Sequence, residues 1–183
     1  MMGMRGSGIL FAKLMAIAAL SAGAALAQSA REPVSALKGH NSNAPVDVSA
    51  DRIEVQDRAD RAIFGGNVKV RQAELTLDTE RLTVAYSSSG GVQIRRLDAA
   101  GGVVVTSPSE TARGEFGIYD LERKLITLIG NVRLVRGPNQ VAGSRLVIDL
   151  NSGRAVIDGG PAGVNQSGGR VTGRFTVPRR NGG

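Results

Sequence analysis

The sequence predicts an all-β protein assembled from about four repeated hairpin units. A short motif, in which one residue separates an apolar residue from a β-branched residue, occurs four times. Its apolar residue lies at 53, 82, 116 and 146, so successive copies are 29, 34 and 30 residues apart. Regular spacing of this size is typical of stacked supersecondary units. Between the motifs, apolar and polar residues alternate with a period of two, which puts one set of side chains on each face of a β-strand. Only short turns separate these segments, so antiparallel hairpins are favoured over helical crossovers.

The first 27 residues have the features of a secretory signal peptide. Arg5 and Lys13 precede an apolar run from 14 to 24, and residues 25–27 supply the small side chains of a cleavage site. The run is shorter than the roughly 20 residues that span a bilayer. The sequence therefore favours cleavage after Ala27 and export, with an uncleaved membrane anchor as the alternative.

Four segments follow from this pattern: the signal peptide at 1–27, a flexible leader at 28–44, the β-domain at 45–178 and a basic tail at 179–183. The leader lacks periodicity, and its His40 is expected to be a solvated linker residue. The last alternating segment, 170–177, is stopped by Pro178. The strands are predicted near 45–48, 52–56, 61–71, 74–78, 80–87, 92–97, 102–106, 114–120, 124–129, 131–136, 139–142, 144–150, 154–158 and 170–177.

Composition argues against an enzyme and against a nucleic-acid-binding protein. The chain has no cysteine and one histidine, which lies outside the β-domain, so Ser/His/Asp and Cys/His catalysis and the usual zinc and copper sites are excluded. We expect no cofactor and no metal. Residues 28–158 carry 17 basic and 16 acidic side chains, so this part of the chain is nearly neutral. The net charge of +7 therefore does not indicate a basic groove that binds nucleic-acid phosphates. The basic C-terminal end is either a solvated end or a contact for phosphorylated or acidic surfaces.

The inward strand faces offer almost exclusively valine, isoleucine and leucine. If these faces close on each other, the protein is a packed sandwich or a polymerising β-solenoid scaffold. If they are held apart as an open roll, they form a trough for an apolar ligand, and the scarcity of aromatic residues suits acyl chains better than planar rings. The alternation of residues does not decide between these two structures.

Seven segments together resemble one known family. They are PVDVSADRIEV at 45–55, GGNVKV at 65–70, DTERLTVAY at 78–86, GEFGIYD at 114–120, LIGNVRL at 128–134, AGSRLVIDL at 142–150 and RVTGRFTVP at 170–178. Their order and spacing resemble the LptA/OstA family, periplasmic proteins that carry lipopolysaccharide between the two membranes of Gram-negative bacteria. The resemblance covers nearly all of the chain after residue 44.

The resemblance implies an open, V-shaped antiparallel β-jellyroll with an apolar trough for lipid. The acyl chains of lipid A, or of a similar anionic glycolipid, are then expected to lie against the inward residues Val46, Val48, Ile53, Val55, Val68, Val70, Leu82, Val84, Phe116, Ile118, Val132, Leu134, Leu146 and Ile148.

The resemblance also implies the protein's partners. We expect head-to-tail homo-oligomers joined through unpaired edge strands, and contacts with LptC-like inner-membrane and LptD-like outer-membrane proteins. An ATP-driven extractor at the inner membrane would supply direction. An LptC-like protein that keeps its membrane anchor is the alternative within the same pathway. The expected edge residues are Val46, Val48, Val171, Phe175 and Val177.

Overall fold

A computed structural model describes residues 37, 40–88, 90–159 and 169–176 of the 183-residue chain. These residues form ten β-strands in one antiparallel sheet, and one short 3-10 turn, Asp57–Ala59. The strands are β1 Asp47–Ser49, β2 Arg52–Gln56, β3 Arg61–Gln72, β4 Leu75–Ser87, β5 Gln93–Thr106, β6 Thr111–Asp120, β7 Leu125–Arg136, β8 Asn139–Asp149, β9 Arg154–Asp158 and β10 Thr172–Arg174.

The sheet is open and follows the order of the chain. β3 to β8 are consecutive neighbours, β1 and β2 both pair with β3 at one edge, and β9 and β10 both pair with β8 at the other. β1 pairs with one half of β3 and β2 with the other half, and in the same way β10 and β9 pair with the two halves of β8. We call these two parts the β1 half-sheet and the β2 half-sheet.

A row of β-bulges separates the two half-sheets. The register shifts in the middle of each pairing from β3–β4 to β7–β8. On β3, β5 and β7 the bulge holds two consecutive residues with positive φ, for example Gly66 at 80° and Asn67 at 45°. Bulges of this kind bend a strand and increase its twist. A bend at the same level in six neighbouring strands folds the whole sheet, which gives the V shape.

The bulges correct part of the strand prediction. The sequence predicts breaks near 79, between 97 and 102, at 130 and at 143, whereas the structure has single strands of 11 to 14 residues through each of these points. Glycines inside an alternating pattern indicate either a turn or a bulge. Here the chain continues in the same direction through the glycines of β5, β7 and β8 and through Thr79 of β4, so each of these four is one bent strand.

Close packing at the bend explains why glycine is needed there. A Cβ atom on Gly66 would lie 2.5 Å from Asp51 Oδ2, and one on Gly130 would lie 2.5 Å from Glu115 Oε2. Asp51 is held in place because its Oδ2 accepts a hydrogen bond of 2.8 Å from Asn67 Nδ2. The acidic side chain therefore occupies the space that a side chain on the neighbouring strand would need.

The two half-sheets enclose one apolar core. Its fully buried members come from both sides of the bend, including Val68, Val103 and Val132 from the β1 half-sheet and Leu82 and Leu146 from the β2 half-sheet. The predicted all-β, open V-shaped jellyroll is confirmed. No helix within the described ranges is long and apolar enough to cross a membrane.

Candidate functional site

The predicted inward residues are, for the most part, packed against each other. Eight of them have side chains that are at most 5% exposed: Val68, Val70, Leu82, Val84, Val132, Leu134, Leu146 and Ile148. Along the middle of the sheet the strand partners bring these side chains into rows, such as Leu82, Ala99, Gly117, Leu128 and Leu146 on β4 to β8. The interior is therefore filled by side chains over much of its length.

Four predicted residues mark a part of the interior that is open. Val46 and Val48 lie against the core but are only partly buried. Ile53 and Val55 on β2 are opposite Phe64 and Ala62, so they point inward, yet they are 55% and 56% exposed. Apolar side chains on an inward face that remain exposed indicate an incompletely covered surface.

The predicted inward orientation of Phe116 and Ile118 is wrong. Ile118 pairs with Asp98 and Thr127 on the outer face, and Phe116 is 52% exposed. The inward residues of β6 are instead Gly117 and Tyr119, which are buried. The register shift between Arg113 and Phe116 moves the alternation by one position, and a shift of one residue sends every following side chain to the other face.

A cavity of about 640 Å³ lies at the end of the interior formed by β1 and β2. Val46 and Val48 line it from the β1 half-sheet, and Val55, Val84 and Ile94 line it from the β2 half-sheet. We call it the β1–β2 cavity. Its complete lining is Val46, Val48, Val55, Asp57, Asp60, Ala62, Phe64, Val84, Tyr86, Ser88, Val92 and Ile94.

Four of the apolar cavity residues were absent from the predicted set. Ala62, Phe64, Val92 and Ile94 line the cavity together with the predicted residues. Ala62 and Phe64 alternate with Arg61 and Ile63, and this signal was obscured because Ile63 is also apolar. Val92 begins the predicted strand at 92–97, but β5 begins at Gln93, so Val92 lies just outside the strand.

Polar groups of the cavity lie at its rim and are bonded to one another. Tyr86 Oη donates to Asp57 Oδ1 at 3.4 Å, and Ser88 Oγ donates to Asp60 Oδ1 at 3.1 Å. Desolvation and the neighbouring Asp57 carboxylate raise the pKa of Tyr86 above its ordinary value. The tyrosine is thus a neutral donor at the physiological pH, and the apolar lining meets water through a polar border.

Leu37 and His40 are buried instead of being solvated, whereas Asn41 and Asn43 between His40 and the first strand remain exposed. His40 is 8% exposed and Leu37 4% exposed, so the prediction that His40 is a solvated linker residue is wrong. The His40 ring forms a hydrogen bond of 3.1 Å with Gln72 Oε1, and its Nδ1 lies 3.9 Å from Glu74 Oε1. No periodic pattern in this segment could reveal these contacts, because a single histidine and a single leucine make them.

Tyr119 is another buried residue with a polar group that the sequence did not identify. Its hydroxyl group donates to Gln72 Oε1 at 2.9 Å, and burial raises the pKa of Tyr119 to about 12. The side chain therefore stays protonated at any physiological pH. Together, His40, Gln72 and Tyr119 form a polar cluster in a largely apolar interior.

The outer face carries exposed ion pairs. Lys69 and Asp78 are 2.6 Å apart, and Arg145 and Asp158 are 3.0 Å apart, each on neighbouring strands. Exposed pairs contribute at most about 1 kcal/mol to stability. Among the described residues, no three His, Cys, Asp or Glu side chains are close enough together to hold a metal ion.

The predicted edge residues lie at the ends of the sheet where the structure describes them. Val48 is in β1, Val46 directly precedes β1, and Val171 and Phe175 flank β10. Val171 and Phe175 are 43% and 67% exposed. Val177, the signal peptide at 1–27 and the tail at 179–183 lie outside the described residues. β2 and β9 are also edge strands, which were not among the predicted edges.

Comparison with known proteins gives three results. The family described as LptA/(LptD N-terminal domain) LPS transport protein matches residues 47–154. An uncharacterized protein of Rhizobium meliloti (strain 1021) is 35% identical over 148 residues, which cover 77% of this chain and 79% of the relative. The fold is similar to the crystal structure of LptH from Pseudomonas aeruginosa, which is described as the LptA-homologous periplasmic component of the lipopolysaccharide transport device. The TM-score is 0.66 and the sequence identity 18%, and the match covers 75% of this chain and 99% of that chain.

The similarity to LptH concerns the fold, because the sequence identity is low. The family match covers more than half of the chain and contains β1 to β8 in full. It also contains both bulge pairs of the Gly-Asn type. The resemblance found in the sequence is confirmed, and the chain belongs to the LptA/LptD N-terminal domain family of lipopolysaccharide transport proteins.

Proposed function

We propose that this protein is a periplasmic carrier that binds the acyl chains of lipopolysaccharide, or of a similar anionic glycolipid, in its apolar interior. Membership of the transport family and the open V-shaped fold support this function. The single observation that carries it is the β1–β2 cavity, in which apolar side chains of both half-sheets remain uncovered. The similarity to LptH, a periplasmic component, supports the compartment.

The β1–β2 cavity suits hydrocarbon for a physical reason. Each methylene group moved from water into an apolar environment contributes about 0.8 kcal/mol, so a partly inserted acyl chain is already held firmly. Aliphatic contacts have no preferred direction, so an acyl chain can slide along the interior at little cost. The sugar portion would remain in water beyond the polar rim of Asp57, Asp60 and Ser88.

Acyl chains that reach beyond the cavity need more room than the closed interior offers. Val84 lines the cavity, whereas Leu82 and Leu146, deeper in the interior, are fully buried. We propose that the two half-sheets move apart about the row of bulges to admit a longer part of the lipid. The glycines of the bulges tolerate such a change in backbone angles because they carry no Cβ atom.

Transfer between neighbouring proteins would use the edges of the sheet. β1 and β2 at one end, and β9 and β10 at the other, each pair with only one strand. Unpaired strand edges recruit further strands through their free backbone groups. We propose head-to-tail association of these edges, with LptC-like and LptD-like proteins at the two ends of the assembly. The direction of transport would come from an ATP-driven extractor at the inner membrane.

Photo-crosslinking in living cells tests the lipid-binding function. A photoreactive residue at Val48 or Val55 should capture lipopolysaccharide, because both side chains line the β1–β2 cavity. The same residue at Lys69 or Val156 is the matched control, since both positions are exposed on the outer face. Equal labelling at the two sets of positions would reject a specific lipid site.

The packed middle of the interior keeps one other function open, a polymerising β-scaffold without ligand. A scaffold predicts filaments and no lipid crosslinks at Val48 or Val55. An LptC-like, membrane-anchored protein makes a separate prediction about the N-terminus. Mass spectrometry of the protein from its native host should find Gln28 as the first residue if it is a released carrier, and a retained segment 1–27 if it is anchored.

A further inference from the structure

The side-chain amide of Gln72 is the centre of a buried hydrogen-bond network. Gln72 is 3% exposed, and its Nε2 donates to Ser42 O at 3.1 Å and to Ala44 O at 2.9 Å. Carbonyl oxygens only accept, so the amide orientation is fixed and Oε1 must face Tyr119 and His40. Oε1 then accepts from Tyr119 Oη at 2.9 Å and from His40 Nε2 at 3.1 Å.

The bond between Tyr119 and Gln72 connects the two half-sheets. Gln72 ends β3 in the β1 half-sheet, and Tyr119 lies in the part of β6 that belongs to the β2 half-sheet. On a flat sheet β3 and β6 would be separated by three strand spacings, or about 14 Å. A hydrogen bond of 2.9 Å between their side chains therefore crosses the space between the half-sheets, away from the row of bulges.

Residues 40–44 lie over this crossing, and we call them the strap. The strap is ordered by its own backbone hydrogen bonds, from Ser42 N to His40 O at 3.0 Å and from Ala44 N to Asn41 O at 3.1 Å. It leads directly into Val46 and Val48, which line the β1–β2 cavity. Leu37, just before the strap, is part of the apolar core.

The polar character of this closure has a physical consequence. A buried polar group is costly unless it is hydrogen-bonded; both polar atoms of the Gln72 side chain are, whereas the buried Nδ1 of His40 has no hydrogen-bond partner. On opening, the same groups exchange their partners for water, so the net loss per hydrogen bond is small. An apolar strap would instead compete with the acyl chain for the same surface. Gln72, His40 and Tyr119 are thus suited to hold the interior shut and still release it.

We propose that Gln72, His40 and Tyr119 form a clasp that holds the strap across the open side of the V, and that the clasp must open before an acyl chain passes from the β1–β2 cavity into the deeper interior. This inference rests on the proposed function. The clasp residues, which do not line the cavity, would control the rate at which lipid enters. The closed structure is then the resting state, and the lipid-loaded state has the strap released.

The test compares Gln72→Leu with Thr79→Val. Both substitutions replace a buried polar side chain by an apolar one of similar size, but Thr79 is 7% exposed at the bend and bonds to Ala100 O at 2.9 Å, far from the strap in the chain. Stopped-flow fluorescence with a dansyl-labelled undecanoic acid measures association. We expect about tenfold faster association for Gln72→Leu, which corresponds to about 1.4 kcal/mol, and no change for Thr79→Val.

Hydrogen exchange shows whether the variant is folded. In Gln72→Leu the amides of Ser42 and Ala44 should exchange faster, while the amides of β4 should keep their protection. A chain that begins at Pro45 lacks the strap and should associate as fast as Gln72→Leu. If both folded variants bind the probe at the wild-type rate, the clasp is refuted and the proposed function stands. If neither the wild type nor any variant binds the probe or purified lipopolysaccharide, the proposed function itself fails.

Discussion

Replacing Val55 by aspartate provides a quantitative test of the β1–β2 cavity. Val55 lines the cavity and is 56% exposed. Fully burying a valine side chain contributes about 1.5 to 3 kcal/mol, so covering its exposed half with an acyl chain contributes about 1 kcal/mol. A carboxylate at this position loses that contact and also suffers desolvation, which costs about 1 to 3 kcal/mol or more.

The combined loss of about 2 to 4 kcal/mol predicts that Val55→Asp raises the Kd for acyl ligand by at least about 30-fold. Fluorescence titration with a dansyl-labelled undecanoic acid, followed by competition with lipopolysaccharide, measures this change. The free energy of unfolding should change less than the free energy of binding, since exposed substitutions alter it by about 0.5 kcal/mol. The low β-propensity of aspartate adds up to about 1 kcal/mol to that change.

Val156→Asp is the matched control for Val55→Asp. Val156 is also a valine on an edge strand and is 41% exposed, but it pairs with Val147 on the outer face. Its substitution should leave the Kd unchanged. An unchanged Kd for Val55→Asp, or equal losses for the two variants, would refute the assignment of the cavity as the acyl site.

Three further predictions concern stability. In the folded wild type Tyr119 has a pKa of about 12, against an ordinary value of 10.0, so the unfolded chain loses its proton first as the pH rises. Denaturant titrations should therefore show that the free energy of unfolding of the wild type falls by up to about 3 kcal/mol between pH 10 and 12. Tyr119→Phe has no phenol group to titrate and should not show this fall. Gly66→Ala should lower the free energy of unfolding by about 1 kcal/mol more than Gly90→Ala. Both glycines have φ near 80°, but only at Gly66 would a Cβ atom meet another side chain, that of Asp51. Equal effects of the two substitutions would contradict the packing at the bend. Leu128→Ala should cost about 2 to 5 kcal/mol in urea unfolding, because the side chain is 0% exposed, and a cost below 1 kcal/mol would mean that this part of the interior is not packed.

The period-two pattern predicted the strands well because the sheet has one apolar and one polar face. Leu82 and Val84 on β4, and Leu146 and Ile148 on β8, point inward as their alternation with polar residues indicates. The pattern also placed β1 and β10 at the sheet edges, since they are the first and last alternating segments of the chain. For these elements a local signal was sufficient.

The bulges were the main reason for the errors. A bulge adds a residue to one strand, so the alternation changes phase at a point that the sequence marks only with a glycine or an asparagine. This change of phase turned Phe116 and Ile118 outward and Gly117 and Tyr119 inward. The sequence alone also does not distinguish a bulge from a turn, which is why long strands such as β5 were predicted as two short ones.

The polar cluster could not have been predicted from the sequence. His40, Gln72 and Tyr119 are separated by 32 and 47 residues, and they meet only because the sheet bends and the strap folds back over it. Neither their types nor their spacing forms a motif. The candidate site was therefore predicted where it depends on strand alternation, and missed where it depends on tertiary contacts between the half-sheets.

Nuclear Overhauser effects can show whether the interior accepts hydrocarbon at the β1–β2 cavity. Lipopolysaccharide with isotope-labelled acyl chains is added to protein with labelled valine methyl groups. We expect intermolecular effects from the acyl chain to Val48 and Val55, which line the cavity. Effects confined to Val156 on the outer face, or none in a sample with bound lipid, would contradict this expectation.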